Sequence, residues 1–127
     1  MTDRLISVVD DHASVRSATV DLLASVGFAR EAFASADAYL QSDAANRTAC
    51  LILDVRMPGL NGLELQQLLA EQGRAVPIIF ITSYPNERVR RRAIRGGAIC
   101  YLPKPYSEEE LLGCIRLALD ASRSKGP

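Results

Sequence analysis

The chain of 127 residues has no tryptophan, one histidine, two lysines and only 6% aromatic residues, which leaves little to stack on a flavin. Its three cysteines, Cys50, Cys100 and Cys114, are odd in number and widely spaced. That excludes a disulfide framework or a C-x-x-C site and reads as buried, reduced thiols in a cytoplasmic protein. Formal net charge is zero, with 15 Lys+Arg against 15 Asp+Glu, which argues against a strongly basic nucleic-acid binder. No apolar run approaches the roughly 18 residues of a membrane span. Asp3 and Arg4 precede only a short apolar run, so no signal peptide is expected there. Internal repeats and low-complexity segments are also lacking. What is present, 48% hydrophobic and 24% charged residues, is ordinary for a globular domain. The length suits one core.

Apolar segments alternate in type along the chain. Leu5–Val9 is short and β-branched, as a buried strand would be. Val15, Ala18, Leu22, Leu23 and Val26 then recur at helical spacing, closed by Gly27. Glu31–Ala34 reads as a weak second strand, and Ser35 as the cap of a short helix through Leu40. Cys50–Leu53 forms a third strand ending at Asp54. Asn61 and Glu64 make a capping box for a helix that stops at Gly73. Val76–Ile81 is a fourth strand, Asn86 caps a helix to Gly96-Gly97, and Ile99–Leu102 is a fifth strand. Ser107 and Glu110 box in a last helix, with Leu111, Leu112, Ile115, Leu117 and Leu119 available for its buried side. Five strands alternating with five helices predict an α/β fold, a five-stranded parallel sheet with helices on both faces. The domain of that prediction covers residues 1–121. The polar stretch 122–127 reads as the start of a linker or the end of an expressed segment.

In such sheets sites form beyond the carboxyl ends of the strands. The polar residues fall there: Asp10-Asp11 after strand one, Asp54 after strand three, Thr82-Ser83 after strand four, Lys104-Pro105 after strand five. Three carboxylates in one place repel one another and call for a cation. An all-oxygen donor set suits Mg²⁺, and Lys104 adds a point charge suited to phosphate oxygens. These are the parts for phosphoryl transfer onto an aspartate.

Taken together, Asp10-Asp11, Asp54-Val55-Arg56-Met57-Pro58-Gly59 with Gly62, Thr82-Ser83, Gly97-Ala98, and Tyr101 three before Lys104-Pro105 resemble the receiver domain of two-component response regulators. The likeness is greatest to receivers of the nitrogen-fixation regulator type, which usually precede a helix-turn-helix output domain. The resemblance implies a flavodoxin-like (βα)5 fold with strand order 2-1-3-4-5. It implies that Asp54 is the phosphoacceptor, taking its phosphoryl group from a phosphohistidine on a sensor histidine kinase. Mg²⁺ would be held by Asp11 directly, Asp10 through water, Asp54, and the backbone carbonyl of Arg56. Lys104 would pair with the carboxylate and then with the phosphoryl oxygens. Thr82 would swing its hydroxyl onto the phosphoryl group, and Tyr101 would turn into the space it leaves. The Lys104–Pro105 peptide would be cis. The output surface would be the fourth helix, fifth strand and fifth helix, controlling homodimerisation or an output domain for transcription regulation. DNA would be contacted only through that output domain, and no membrane is expected as a partner. The domain would take up and slowly lose its own phosphoryl group rather than turn over outside substrates.

Blander readings stand beside these. The switch role of Tyr101 is favoured over a plain core aromatic, and His12 reads mainly as a structural or electrostatic neighbour of the acidic pair. The run Arg88, Arg90, Arg91, Arg92 and Arg95 is either a solvated helix face or a contact surface, with Arg88, Arg91, Arg92 and Arg95 as the interface candidates. Arg56 and Tyr84 are large where the resemblance places the path of the hydrolytic water, and so suggest a shielded phosphoryl group. Three other classes compete. A small flavin electron carrier would need a glycine- and hydroxyl-rich loop where Asp10-Asp11-His12 stands. An aspartate phosphatase would carry a second acid at position 56, and arginine cannot serve there. A phosphate-independent interaction module of the same fold is disfavoured, because all the chemical positions are intact.

Overall fold

Apolar strands alternating with one-sided helices bury both faces of a sheet only in three layers. The computed structural model, which describes residues 4–124, has that form. Strands β1 (Leu5–Val9), β2 (Ala29–Phe33), β3 (Thr48–Asp54), β4 (Ile78–Thr82) and β5 (Cys100–Pro103) make one sheet in the order β2-β1-β3-β4-β5. All four pairings are parallel. Helices α1 (Ala13–Val26), α2 (Ala36–Leu40), α3 (Gly62–Glu71), α4 (Glu87–Arg95) and α5 (Glu108–Ser124) follow the strands in turn. The order runs outward from β1 to β2, then reverses through β3, so the switch point lies between β1 and β3.

Side-chain alternation along the strands divides the interior into two cores. Leu5, Val9, Leu51, Leu53, Ile78 and Phe80 pack with Tyr39, Leu65, Leu69 and Ala93 on one face. Ile6, Val8, Cys50, Ile52, Ile79 and Ile81 pack with Leu23, Leu111, Ile115 and Ala118 on the other. Each such fully buried aliphatic side chain contributes about 1.5–3 kcal/mol. Cys50 and Cys114 are buried, Cys100 is half-buried, and all three are free thiols. Burial pushes the Cys50 and Cys114 thiols up to about 12.

The predicted caps are in place. Gly27 ends α1 in the left-handed conformation at φ 91°. Asn61 and Glu64 exchange bonds of 2.9 and 2.8 Å at the start of α3. Ser107 and Glu110 do the same at 3.0 and 2.9 Å before α5. Boundaries differ where pairing overrides local pattern. β2 begins at Ala29, because Leu5 in β1 is its partner there. β4 begins at Ile78, leaving Val76 and Pro77 as its approach. A 3₁₀ turn at Asp43–Asn46, which has no apolar period to reveal it, precedes β3. Three apolar helix positions from the sequence pattern, Ala18, Val26 and Leu117, are exposed instead. Val26 is 49% and Leu117 58% exposed. The buried line of α1 runs through Thr19 and Leu23, and that of α5 through Leu111, Ile115, Ala118 and Leu119. Thr19 is admitted because its hydroxyl donates to the Val15 carbonyl at 2.9 Å. The stretch expected to start a linker at Ser122 begins inside α5, which runs to Ser124, and residues 125–127 lie outside the described residues.

Candidate functional site: the carboxyl rim of the sheet

Each polar residue on the rim is held by a ladder bond that continues just past a strand. The Asp10 N–H donates to the Phe33 carbonyl at 3.1 Å, beyond the end of β1. The Val55 N–H donates to the Ile81 carbonyl at 3.1 Å, locking the backbone that follows Asp54. The Lys104 N–H donates to the Thr82 carbonyl at 2.7 Å, and the Lys104–Pro105 peptide is cis. The backbone thus delivers Asp10, Asp54, Thr82 and Lys104 to one side of the sheet, two of them at the switch point.

Asp10 is wholly buried and Asp54 nearly so, while Asp11 is partly open. His12 caps α1, and its N–H donates to Asp10 Oδ1 at 2.9 Å. Its ring Nδ1 lies 3.4 Å from Asp10 Oδ1, 3.3 Å from Asp11 Oδ1 and 3.9 Å from Asp54 Oδ2. Among the described residues, Asp10, Asp11, His12 and Asp54 form a group whose donor atoms all lie within 4.8 Å of one another. Lys104 Nζ lies 3.8 Å from Asp10 Oδ2. Its ion pair is therefore with Asp10, where the resemblance led us to expect Asp54; the wholly buried Asp10 charge is the one in greatest need of a partner.

The electrostatics follow from this crowding. Burial first, then repulsion from Asp10, raises the Asp54 carboxyl to about 6, while Lys104 and the Arg56 N–H pull it back. The Arg56 N–H reaches Asp54 Oδ1 only at 3.4 Å. Asp10 Oδ2 and Asp11 Oδ1 are buried atoms with no hydrogen-bond partner. Lone buried carboxylate oxygens are costly. Their clustering with Asp54 is a donor set that fits a hard divalent cation.

The other singled-out residues surround the cluster. Thr82 is buried, and its hydroxyl accepts from the Tyr84 N–H at 3.0 Å. Tyr101 is half-buried, and its hydroxyl accepts from the Asn86 N–H at 3.1 Å, at the start of α4. The Arg56 guanidinium lies over the Tyr84 ring, 4.7 Å from its centroid. On α4, Arg90 and Arg91 pair with Glu87, holding its carboxyl down to about 2. Arg88, Arg91, Arg92 and Arg95 line a shallow depression with Leu63 and Val89.

Two contributors escaped sequence reasoning. Arg16 Nη1 donates to the Asp10 carbonyl at 2.8 Å and so braces the end of β1; one arginine on an amphipathic helix carries no mark of this. Gln66 is buried in α3 and donates to the Ala93 carbonyl at 2.9 Å, joining α3 to α4. Gly62 was visible in the motif, but its reason is spatial. A Cβ there would stand 2.4 Å from the Asp54 carbonyl oxygen.

Comparison with known proteins agrees with this geometry. The response regulator receiver domain family matches residues 6–116. Response regulator protein TodT of Pseudomonas putida is 42% identical over 132 residues, covering 100% of this chain and 58% of TodT. Transcriptional regulatory protein FixJ of Azorhizobium caulinodans is 32% identical, covering 95% of this chain and 57% of FixJ. The chain thus spans little more than half the length of these relatives. Among solved structures, response regulator StyR superposes with a TM-score of 0.87 at 38% identity, covering 98% of this chain and 63% of that one. FixJ-N superposes at 0.86 and 30% identity, covering 94% of this chain and 96% of that one. The chain belongs to the response regulator receiver domain family, alongside receivers of the TodT and FixJ type.

Proposed function

We propose that the chain is a phosphorylation-dependent switch in which Asp54 accepts a phosphoryl group from the phosphohistidine of a sensor histidine kinase. The observation that carries this is the burial of the Asp54 carboxylate at the switch point, flanked by two further carboxylates, a lysine and a hydroxyl from neighbouring strand ends. Mg²⁺ bound by Asp10, Asp11, Asp54 and the Arg56 carbonyl would offset the three negative charges and the approach of a phosphate. Asp54 Oδ then attacks phosphorus, and the P–N bond to the histidine breaks. Lys104, already within the pocket, takes the new phosphoryl oxygens as partners.

The switch uses bonds that must be exchanged. Thr82 gives up the Tyr84 N–H to donate its hydroxyl to the phosphoryl group. Tyr101 leaves the Asn86 N–H and turns inward, which frees the start of α4. A phosphoryl group adds about −1.5 to −2 charge and three acceptors, enough to bias such an exchange by a few kcal/mol. The altered surface is α4, β5 and α5. It would act on homodimerisation or on an output domain for transcription regulation in the cytoplasm. Arg88, Arg91, Arg92 and Arg95 supply its charged part.

The test is intact mass after incubation with a small phosphodonor, with and without Mg²⁺, beside Asp54→Asn. One Mg²⁺-dependent phosphoryl adduct, absent from the variant, is expected. No adduct under any condition would move the function to a phosphate-independent interaction module.

A further inference from the structure

The two ends of α4 are held in unlike ways. The helix buries one residue, Ala93, with Val89 half-buried, and exposes the rest. A helix so polar is held by few tertiary contacts, and those few decide how it moves. At its start Asn86 is exposed. The Asn86 N–H donates to the Tyr101 hydroxyl at 3.1 Å, and that hydroxyl reaches the Asn86 carbonyl at 3.5 Å. Water can replace these bonds. At its end the Ala93 carbonyl accepts from the Gln66 side-chain amide at 2.9 Å and from the Ala98 N–H at 3.0 Å. Gln66 is buried, so breaking its bond leaves a polar group unpaired, and this end is the costlier to release.

Gly96 makes that bond possible. Its backbone, at φ −78° and ψ 0°, is open to any residue. A Cβ there would stand 2.8, 2.8 and 2.9 Å from Cδ, Nε2 and Oε1 of Gln66. The amide therefore lies in the space a side chain would take. The helix that carries Gln66 is itself fixed. The Gly62 N–H at the start of α3 donates to the Val55 carbonyl at 3.0 Å, and Leu63, Leu65 and Leu69 are buried beside Gln66.

We infer that Gln66, seated against Gly96, is a positioning residue that anchors the last turn of α4 to α3, so that α4 pivots about residues 93–96 when its start is released. The inference rests on the proposed exchange of the Tyr101 bond and gives the resulting motion a direction: Arg88 travels further than Arg95.

The experiment is residue-resolved amide hydrogen exchange by NMR on wild type, Gln66→Leu and Gly96→Ala. Each is measured unmodified and held phosphorylated by excess small phosphodonor with Mg²⁺, with intact mass to establish the adduct. Gln66→Leu keeps an apolar stem and removes the donor, while Gly96→Ala keeps Gln66 and displaces its amide. The Arg90 N–H, bonded to the Asn86 carbonyl, reads the start of α4, and the Ala98 N–H reads its end. In wild type, phosphorylation is expected to speed exchange at Arg90 at least about tenfold and at Ala98 less than about twofold. In both variants the response is expected to spread to Ala98, at about fivefold or more. Comparing each protein with its own phosphorylated form removes any general loss of stability. A response confined to Arg90 in all three proteins would overturn the anchor. A response equal at both ends of wild type would overturn the pivot. Absence of the adduct from wild type would overturn the switch reading instead. The unmodified variants then decide the anchor, and wild-type exchange at Ala98 in both would overturn it.

Discussion

At Asp54 the competing effects are burial and like charge against one lysine. With the folded carboxyl at about 6 and an ordinary value of 3.8, the folded state holds the proton more tightly than the unfolded chain. Stability from this group is therefore fully present below about pH 4 and is lost as pH rises through about 6. Asp54→Asn removes that loss. In the absence of divalent metal it is expected to raise unfolding free energy at pH 7.5 by roughly 2 kcal/mol, with little difference at pH 4. Urea unfolding at the two pH values checks this, and an unchanged or lower midpoint at pH 7.5 would show that Lys104 already compensates the charge. A second residue-scale effect is the contact between Arg56 and Tyr84. The Arg56–Tyr84 stack is worth about 0.5–1 kcal/mol at an exposed position. It bridges the loops after β3 and β4. Removing either side by Arg56→Ala or Tyr84→Ala is expected to shorten the phosphoryl lifetime severalfold, followed by adduct decay in the mass spectrum. Unchanged decay in both would refute the shielding role.

At the scale of elements, α3 is seated where its first residue nearly touches the backbone of β3. Gly62→Ala puts a methyl into the Asp54 carbonyl and the Phe80 ring, 2.4 and 3.1 Å away. Backbone cannot rotate out of the way, so α3 must move. A loss of about 1–3 kcal/mol is expected, as for overpacked sites. Thermal unfolding measures that loss, and slower phosphorylation of Asp54 is the functional counterpart. The element that carries most charge is α4. Its Glu87 is shared by Arg90 and Arg91, while Arg88, Arg92 and Arg95 extend the positive face without a further acid on that helix. Exposed pairs of this kind contribute little to stability, so the helix can spare them. The double change Arg91→Glu with Arg95→Glu is expected to disturb self-association of the phosphorylated form while leaving the phosphoryl adduct on Asp54 intact. Sedimentation showing the same assembly as wild type would leave α4 as a merely solvated face.

At the scale of the molecule, one sheet with a reversal between β1 and β3 explains why acids far apart in sequence share a pocket. Ladder bonds do the positioning, so the pocket is as rigid as the sheet, while the Thr82 hydroxyl at the end of β4 and the Tyr101 hydroxyl in β5 accept from the Tyr84 and Asn86 N–H groups of the loop before α4, the bonds proposed to exchange. In the proposed switch the same division would separate chemistry at β1 and β3 from signalling at β5 and the helices beside it.

The period of apolar residues, the capping pairs Asn61–Glu64 and Ser107–Glu110, and the acids at strand ends are local properties. They determined by themselves the number and kind of the strands and α-helices, though not the 3₁₀ turn before β3, and which residues would meet on the rim. Boundaries and facing were decided elsewhere. β2 starts at Ala29 because β1 offers a partner there, and Leu117 faces water because the turn of α5 that meets the sheet carries Ile115 and Ala118 instead. The pairing of Lys104 with Asp10 rather than Asp54, the brace from Arg16, the stack of Arg56 on Tyr84 and the aim of His12 at three carboxylates were decided only by tertiary structure. Each depends on distances between side chains from different strands and loops, and burial, not residue type, sets which charge most needs a partner.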